Sequence, residues 1–239
     1  MGAIYRREIG AFFTSSIAYV FLAVFYLAAG YFFFGSSLAM STTDMSNLFT
    51  SLFFIVTILI PVLTMRLFSE EKKQKTEQGL LTAPVSIGGI VMGKYLAALT
   101  LYTIGLAIIF VYALILSFFG AVAWGIVISN ILALFLLGAA FIAVTLFISS
   151  LTEMPLLAIL MSELAMLLLM LMDNLSVNSF LSSIPVLSDV LSWFSNQTKF
   201  YVFSQGLMRF SDLLGYFTEI VVFLIWTIIS IEKRRWSRR

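Results

Sequence analysis

The chain contains no cysteine and no histidine, and only four of its 239 residues are proline. Without cysteine there is no disulfide and no thiol chemistry. Without histidine, the commonest general base and the commonest metal ligand are both missing. A zinc site or a serine–histidine nucleophile cannot be built from this chain. Charge is scarce too: 11% of the residues are Asp, Glu, Lys or Arg, where a soluble domain has about 25%. Apolar residues make up 61% of the chain, and the mean hydropathy is +1.06. A soluble core of this size cannot hide so much apolar surface. The composition therefore specifies an all-α integral membrane protein, one domain over 1–239. A cleavable signal peptide is not expected, because Arg6, Arg7 and Glu8 are followed by no small-residue cleavage site behind a short apolar core.

A helix needs about 20 residues to cross the hydrocarbon of a bilayer. Runs of that order occupy 17–34, 48–67, 90–119, 126–149, 156–172 and 213–231. The third is long enough to tilt or to project from the membrane. Six spans put both termini on one side. That side collects Arg6, Arg7, Arg66, Lys72, Lys73, Lys75, Lys94, Lys233, Arg234, Arg235, Arg238 and Arg239, against Lys199 and Arg209 on the other. Basic residues favour the cytoplasmic face, so both termini are expected in the cytoplasm of a multi-pass cell (inner) membrane protein.

Three segments outside the spans carry a pattern. In 1–16, Ile4, Tyr5, Ile9, Phe12 and Phe13 share one half of a helical wheel and Arg6, Arg7 and Gly10 the other, with Glu8 breaking the pattern. This predicts an amphipathic helix lying on the cytoplasmic leaflet. In the loop 68–89 and just before it, Arg66, Glu70, Glu71, Lys72, Lys73, Lys75 and Glu77 crowd together. No other interior stretch offers a sizeable hydrophilic surface, so a cytoplasmic partner is expected to dock there. In the external segment 173–212, Phe180, Ile184, Leu187, Leu191 and Phe194 recur at helical spacing beside Trp193. Ser182 or Ser183 caps this stripe, with Pro185 tolerated in the first turn. The stripe predicts a short helix in the outer interface or over the outer mouth.

One motif misleads. Gly88 to Tyr95 nearly matches the phosphate-binding pattern G-x-x-x-x-G-K-[ST], but Tyr95 replaces the hydroxyl that holds magnesium and no strand precedes it. Its glycines read instead as packing positions, and Lys94 as a side chain snorkelling to the interface. Gly93 with Ala97, and Gly138 to Ala140, allow close helix approach. Two acids fall within spans: Glu163 near the middle of the fifth and Glu219 in the outer third of the sixth. Each is costly unless neutral, paired or facing water. With no lysine or arginine expected at matching depth, Glu163 reads as neutral or as facing a polar interface.

Four stretches together resemble a known family, the ABC-2 type permeases. They are Ile4-Tyr5-Arg6-Arg7-Glu8; Met65-Arg66, Phe68 and Glu70-Glu71 with Thr76, Leu80-Leu81 and Pro84-Val85-Ser86; Ile90-Val91 with Gly93-Lys94; and Phe203, Gly206, Asp212-Leu213 and Tyr216-Phe217 with the basic exit Lys233 to Trp236. The chain looks most like the small six-span permeases of the gliding-motility and nitrous-oxide-accessory type. The resemblance implies a second permease, as homodimer or heterodimer, and two cytoplasmic ABC ATPase subunits that bind the ATP and Mg, leaving this chain without a cofactor. It implies a coupling helix between spans 2 and 3, short outer re-entrant helices between spans 5 and 6, and a substrate path at the dimer interface. Carried onto this sequence, the ATPase-coupling residues are Arg66, Glu70, Glu71, Thr76, Gly79, Leu80, Leu81 and Pro84, with a coupling helix that includes some of Lys73 to Leu81.

The function expected is that of the transmembrane subunit of an ATP-driven exporter, not itself an enzyme and with no nucleic-acid partner. Two other classes stand beside it: a membrane-embedded binding or scaffold subunit, and a proton-driven secondary transporter using Glu163 and Glu219. A partner ATPase separates the first from the others, and transport that follows a pH gradient marks the third.

Overall fold

The computed structural model describes residues 1–76, 85–176, 193, 195–207 and 209–237. They form nine α-helices: α1 (Gly2–Thr14), α2 (Ser16–Phe33), α3 (Ser46–Thr64), α4 (Arg66–Lys73), α5 (Ile87–Ser117), α6 (Trp124–Leu151), α7 (Pro155–Ser176), α8 (Asn196–Ser204) and α9 (Phe210–Ser237). A π-helical turn, Phe34–Leu38, prolongs α2, and there is no strand among the described residues. Among the described residues, five stretches are long and apolar enough to cross a membrane: Ser16–Leu38, Ser46–Lys73, Ile87–Ser117, Trp124–Leu151 and Phe210–Arg234. At the place of the expected fifth span lies α7, apolar over Pro155–Leu171 among the described residues.

Helix α6 occupies the middle of the bundle. It is apolar around its whole circumference, and a helix of that kind is buried by its neighbours. Packed on it are α3, α5, α7, α8 and α9. The closest approach is at Gly138, where any Cβ would overlap the ring of Tyr102 on α5. That ring is fully buried, and its hydroxyl donates to the Leu134 carbonyl at 2.6 Å. The outward faces of α2, α7 and α9 expose Leu27, Tyr31, Leu160, Leu167, Phe217 and Ile225, as a surface against acyl chains should.

Helix α1 is present over 2–14 as the amphipathic pattern predicts, with Ile4, Glu8 and Phe12 on its buried face. It lies on the first turns of α5. The Gly93 position is where the two backbones meet: a Cβ there would come within 2.9 Å of Ile4 Cγ2 and 3.3 Å of the Tyr5 nitrogen. The close approach expected of Gly93 is thus made to the interfacial helix. Where α1 ends, Thr14 Oγ1 donates to the Gly10 carbonyl and Ser15 Oγ to that of Phe12, satisfying carbonyls a helix terminus leaves without partners. Ser15 is extended, so the chain turns before α2 begins.

Helix α5 has 31 residues, about 46 Å at helical rise, against a hydrocarbon core of about 30 Å. That leaves length to tilt or to project from the membrane. Ser86 caps the helix by accepting from the Gly89 N–H at 3.2 Å, so the glycines of the rejected phosphate motif belong to a capped helix. The segment expected as a loop from residue 68 begins as helix α4 and continues α3 after a single turn residue, Met65. It stops at Gln74, where Lys75 takes a positive φ of 58° and Thr76 returns its N–H to the Glu71 carbonyl at 3.0 Å. Of the stretch Lys73 to Leu81, in which some residues are expected to form the coupling helix, Lys73 closes α4 and residues 74–76 form a turn; from residue 77 it lies outside the described residues. So does the outer stripe Phe180, Ile184, Leu187, Leu191 and Phe194, with its capping Ser182, Ser183 and Pro185. Within the external segment the short helix α8 is described, with Asn196, Lys199, Phe200 and Phe203 buried.

Candidate functional site

Four charged side chains meet where α1, α4 and the start of α5 converge. Lys94 is 1% exposed and does not snorkel, contrary to the sequence expectation. Its ammonium has three donors and meets three oxygens: Glu71 Oε1 at 2.9 Å, Glu8 Oε1 at 3.2 Å and the Leu67 carbonyl at 2.6 Å. It also sits 5.1 Å from the centroid of the Phe68 ring, a cation–π distance. Helix α1 supplies the second cation. Arg7 Nη2 reaches Glu8 Oε1 at 2.6 Å and Glu71 Oε1 at 2.5 Å. The quartet is electrically balanced, two cations against two carboxylates. Partial burial works against the Arg7 charge, but hydrogen bonds and charges from Glu8 and Glu71 outweigh it and hold the guanidinium pKa above its ordinary value. Glu8 breaks the amphipathic pattern of α1 because it faces inward to Lys94.

The same corner is fastened to the end of α6. Ser149 Oγ accepts from the N–H groups of Phe68 and Ser69, 3.3 Å each, and donates to the Met65 carbonyl at 2.9 Å. Lys72 Nζ donates to the Ser150 carbonyl. From α9, Arg234 Nη2 donates to the Leu151 carbonyl at 3.2 Å. Helix α6 has no basic residue in its own last turn. Its negative C-terminal end is met instead by cations from two other helices.

An open cleft of about 420 Å³ lies over this network. Of the expected coupling residues, Arg66, Glu70, Glu71 and Thr76 line it, together with Arg7, Glu8, Gln74 and Lys94. Arg66 Nε pairs with Glu70 Oε2 at 3.2 Å, one helical turn apart. Glu71 is taken up inside the chain, its Oε1 shared by Arg7 and Lys94, while its Oε2 is buried with no hydrogen-bond partner among the described residues. Gly79, Leu80, Leu81 and Pro84 lie outside the described residues. Residues 8, 72, 94, 149 and 150 were absent from the expected site. The signal for two of them was present: an acid on an apolar helical stripe and a lysine inside an apolar run are each unfavourable alone, and they have opposite signs.

The two intramembrane acids lie elsewhere. Glu163, half-buried on α7, has no hydrogen bond or ion pair among the described residues. Glu219 on α9 is buried and accepts from Asn196 Nδ2 at 3.2 Å. Lys199, one turn along α8 from Asn196, is buried beside the same stretch of α9, its ammonium 5.2 Å from the Tyr216 ring centroid. A cation thus does reach the level of Glu219, contrary to expectation, and it comes from the external segment.

No metal-binding group of acids is found among the described residues. No curated protein matches the chain. Over residues 6–170, which include most of α1, the whole charged corner and the end of α6 that holds it, the sequence matches the family described as ABC-2 family transporter protein. The chain belongs to that family, and is a multi-pass membrane permease of an ABC transporter.

Proposed function

We propose that this chain is the permease subunit of an ATP-driven exporter, of the small gliding-motility or nitrous-oxide-accessory type. It works as a homodimer or heterodimer with two cytoplasmic ATPase subunits. ATP and Mg are bound on those partners, and this chain receives their closure as a mechanical input. The observation that carries the reading is the rigid attachment of α4: a charged helix continues a spanning helix and is ion-paired to α1 and α5 and hydrogen-bonded to α6. A force applied beside the cleft is passed on to three spans through these contacts. Conversion of that force into altered access needs two membrane conformations that the partner's states bind unequally.

The docking contact is assigned to the segment that follows α4, with Leu80 and Leu81 filling an apolar groove of the ATPase. Buried anchors at the centre of an interface cost about 2 kcal/mol or more on truncation, whereas rim charges cost little. Leu80→Ala with Leu81→Ala is expected to detach or uncouple the ATPase in co-purification and ATPase-stimulation assays, while Lys73→Ala changes little. Normal binding and coupled transport in the double variant would place docking on other residues.

Orientation is tested separately. Asp44 and Gln205 are exposed at the end with few basic residues, and Gln74 at the end with many. Asp44→Cys and Gln205→Cys should react with a membrane-impermeant maleimide in intact cells, and Gln74→Cys only after permeabilisation. Asn196 is unsuitable as an outer reporter because α8 buries it. Labelling of Gln74→Cys in intact cells would reverse the assignment of sides.

A further inference from the structure

A second cleft, of about 540 Å³, opens between the last turns of α6 and α9. Its wall is apolar: Phe147 and Leu151 on one side, Trp226 and Ile229 on the other. Phe147, Phe223 and Trp226 contact one another with centroids 5.3–6.0 Å apart, which fixes the indole along the wall. One end of the cleft changes character: Ser230, Lys233 and Arg234 line it there. Arg234 is held across the mouth by its bond to the Leu151 carbonyl, which uses one of five guanidinium donors. Among the described residues no acid lines the cleft; Glu232, the nearest on α9, is exposed and not part of its lining.

We propose that this cleft binds an anionic glycerophospholipid from the leaflet on the basic side of the protein. The order of chemistry along it matches such a molecule: an aromatic and aliphatic channel for an acyl chain, then a hydroxyl, then two cations for the phosphate. Basic pockets between spanning helices suit anionic headgroups, and tryptophan favours the level where headgroups meet acyl chains. Trp226 and Ile229 are about half exposed, 50% and 54%, so a bilayer lipid reaches the wall by lateral diffusion. A soluble phosphate compound matches the rim but leaves the wall unused.

The test uses a chain with Trp124→Phe, Trp193→Phe and Trp236→Phe, leaving Trp226 as its only tryptophan, in phosphatidylcholine vesicles. Brominated phosphatidylglycerol should quench Trp226 at a several-fold lower mole fraction than brominated phosphatidylcholine, roughly fivefold for each basic residue engaged. The preference should vanish in Lys233→Gln with Arg234→Gln. Equal quenching by the two lipids overturns the proposal, as does a preference that survives the double substitution or is displaced by excess inorganic phosphate. Native mass spectrometry of the otherwise unmodified chain from mixed phosphatidylglycerol and phosphatidylcholine nanodiscs gives the same answer without removing tryptophans. There, retained phosphatidylglycerol in excess of its share supports the site, and retention in proportion to the mixture refutes it. Neither assay contains an ATPase, and both leaflets carry the lipid. Failure here therefore leaves the exporter reading and the orientation untouched.

Discussion

Lys94→Met is expected to release α1 from the bundle and to lower folding stability by about 3–5 kcal/mol, the usual cost of removing one partner from a buried ion pair. The substitution keeps most of the length and an apolar stem, so little packing is lost. What changes is that Glu8 and Glu71 face each other with Arg7 as their one remaining cation, and Arg7 is half exposed, 50% at its side chain. The Leu67 carbonyl loses its donor at the same time. The informative comparison adds Glu8→Gln and Glu71→Gln to Lys94→Met. With the acids neutralised, most of the loss should be recovered, since replacing a whole buried ion network is often nearly neutral. Thermal unfolding of the purified protein in detergent reads the stability, and protease accessibility of residues 2–14 reads the attachment of α1. A single variant as stable as the triple one would mean that the quartet does not hold the corner.

Gly138→Val should do comparable damage at the centre of the bundle. No Cβ fits at Gly138 while Tyr102 keeps its place. Moving the ring breaks the bond to the Leu134 carbonyl and strands a hydroxyl in a fully buried site. Overpacking typically costs about 1–3 kcal/mol and an unsatisfied buried hydroxyl about as much again. Two second-site changes separate these contributions. Tyr102→Phe removes the hydroxyl but leaves the steric conflict, and should rescue little. Tyr102→Leu opens space, and should recover a large part of the melting temperature and of the monodisperse fraction in size-exclusion chromatography. If Gly138→Val melts like the parent chain, the contact with Tyr102 does not limit the approach of α5 and α6.

The residues that specify spans were legible because their signal is local and repeated. Apolar runs at 17–34, 90–119 and 126–149 became α2, α5 and α6 with ends shifted by a few residues. The amphipathic pattern of α1 was equally readable, apart from Glu8. That exception depended on Lys94, 86 positions away in sequence, and no local pattern connects the two. Arg66, Glu70 and Glu71 were recognised as a charged group, yet Glu70 and Glu71 were expected in a loop and lie in a helix. Charge density in sequence marks exposure to water but does not distinguish a loop from a helix that continues a span. Ser149 carried no signal at all, because a serine at the end of an apolar helix is ordinary until a helix start is brought against it.

That serine has a mechanical consequence. Helix α4 has eight residues, an arm of about 12 Å, and its root at Met65 is where a rotation relative to α3 would concentrate. One hydroxyl grips both sides of that root, accepting from Phe68 and Ser69 and donating to Met65. Swinging the arm alone breaks the bonds of Phe68 and Ser69 to Ser149 and of Lys72 to the Ser150 carbonyl, whereas carrying the end of α6 along keeps all three. The root therefore acts as a fulcrum shared by two spans: a push on the tip of α4 levers the central helix of the bundle.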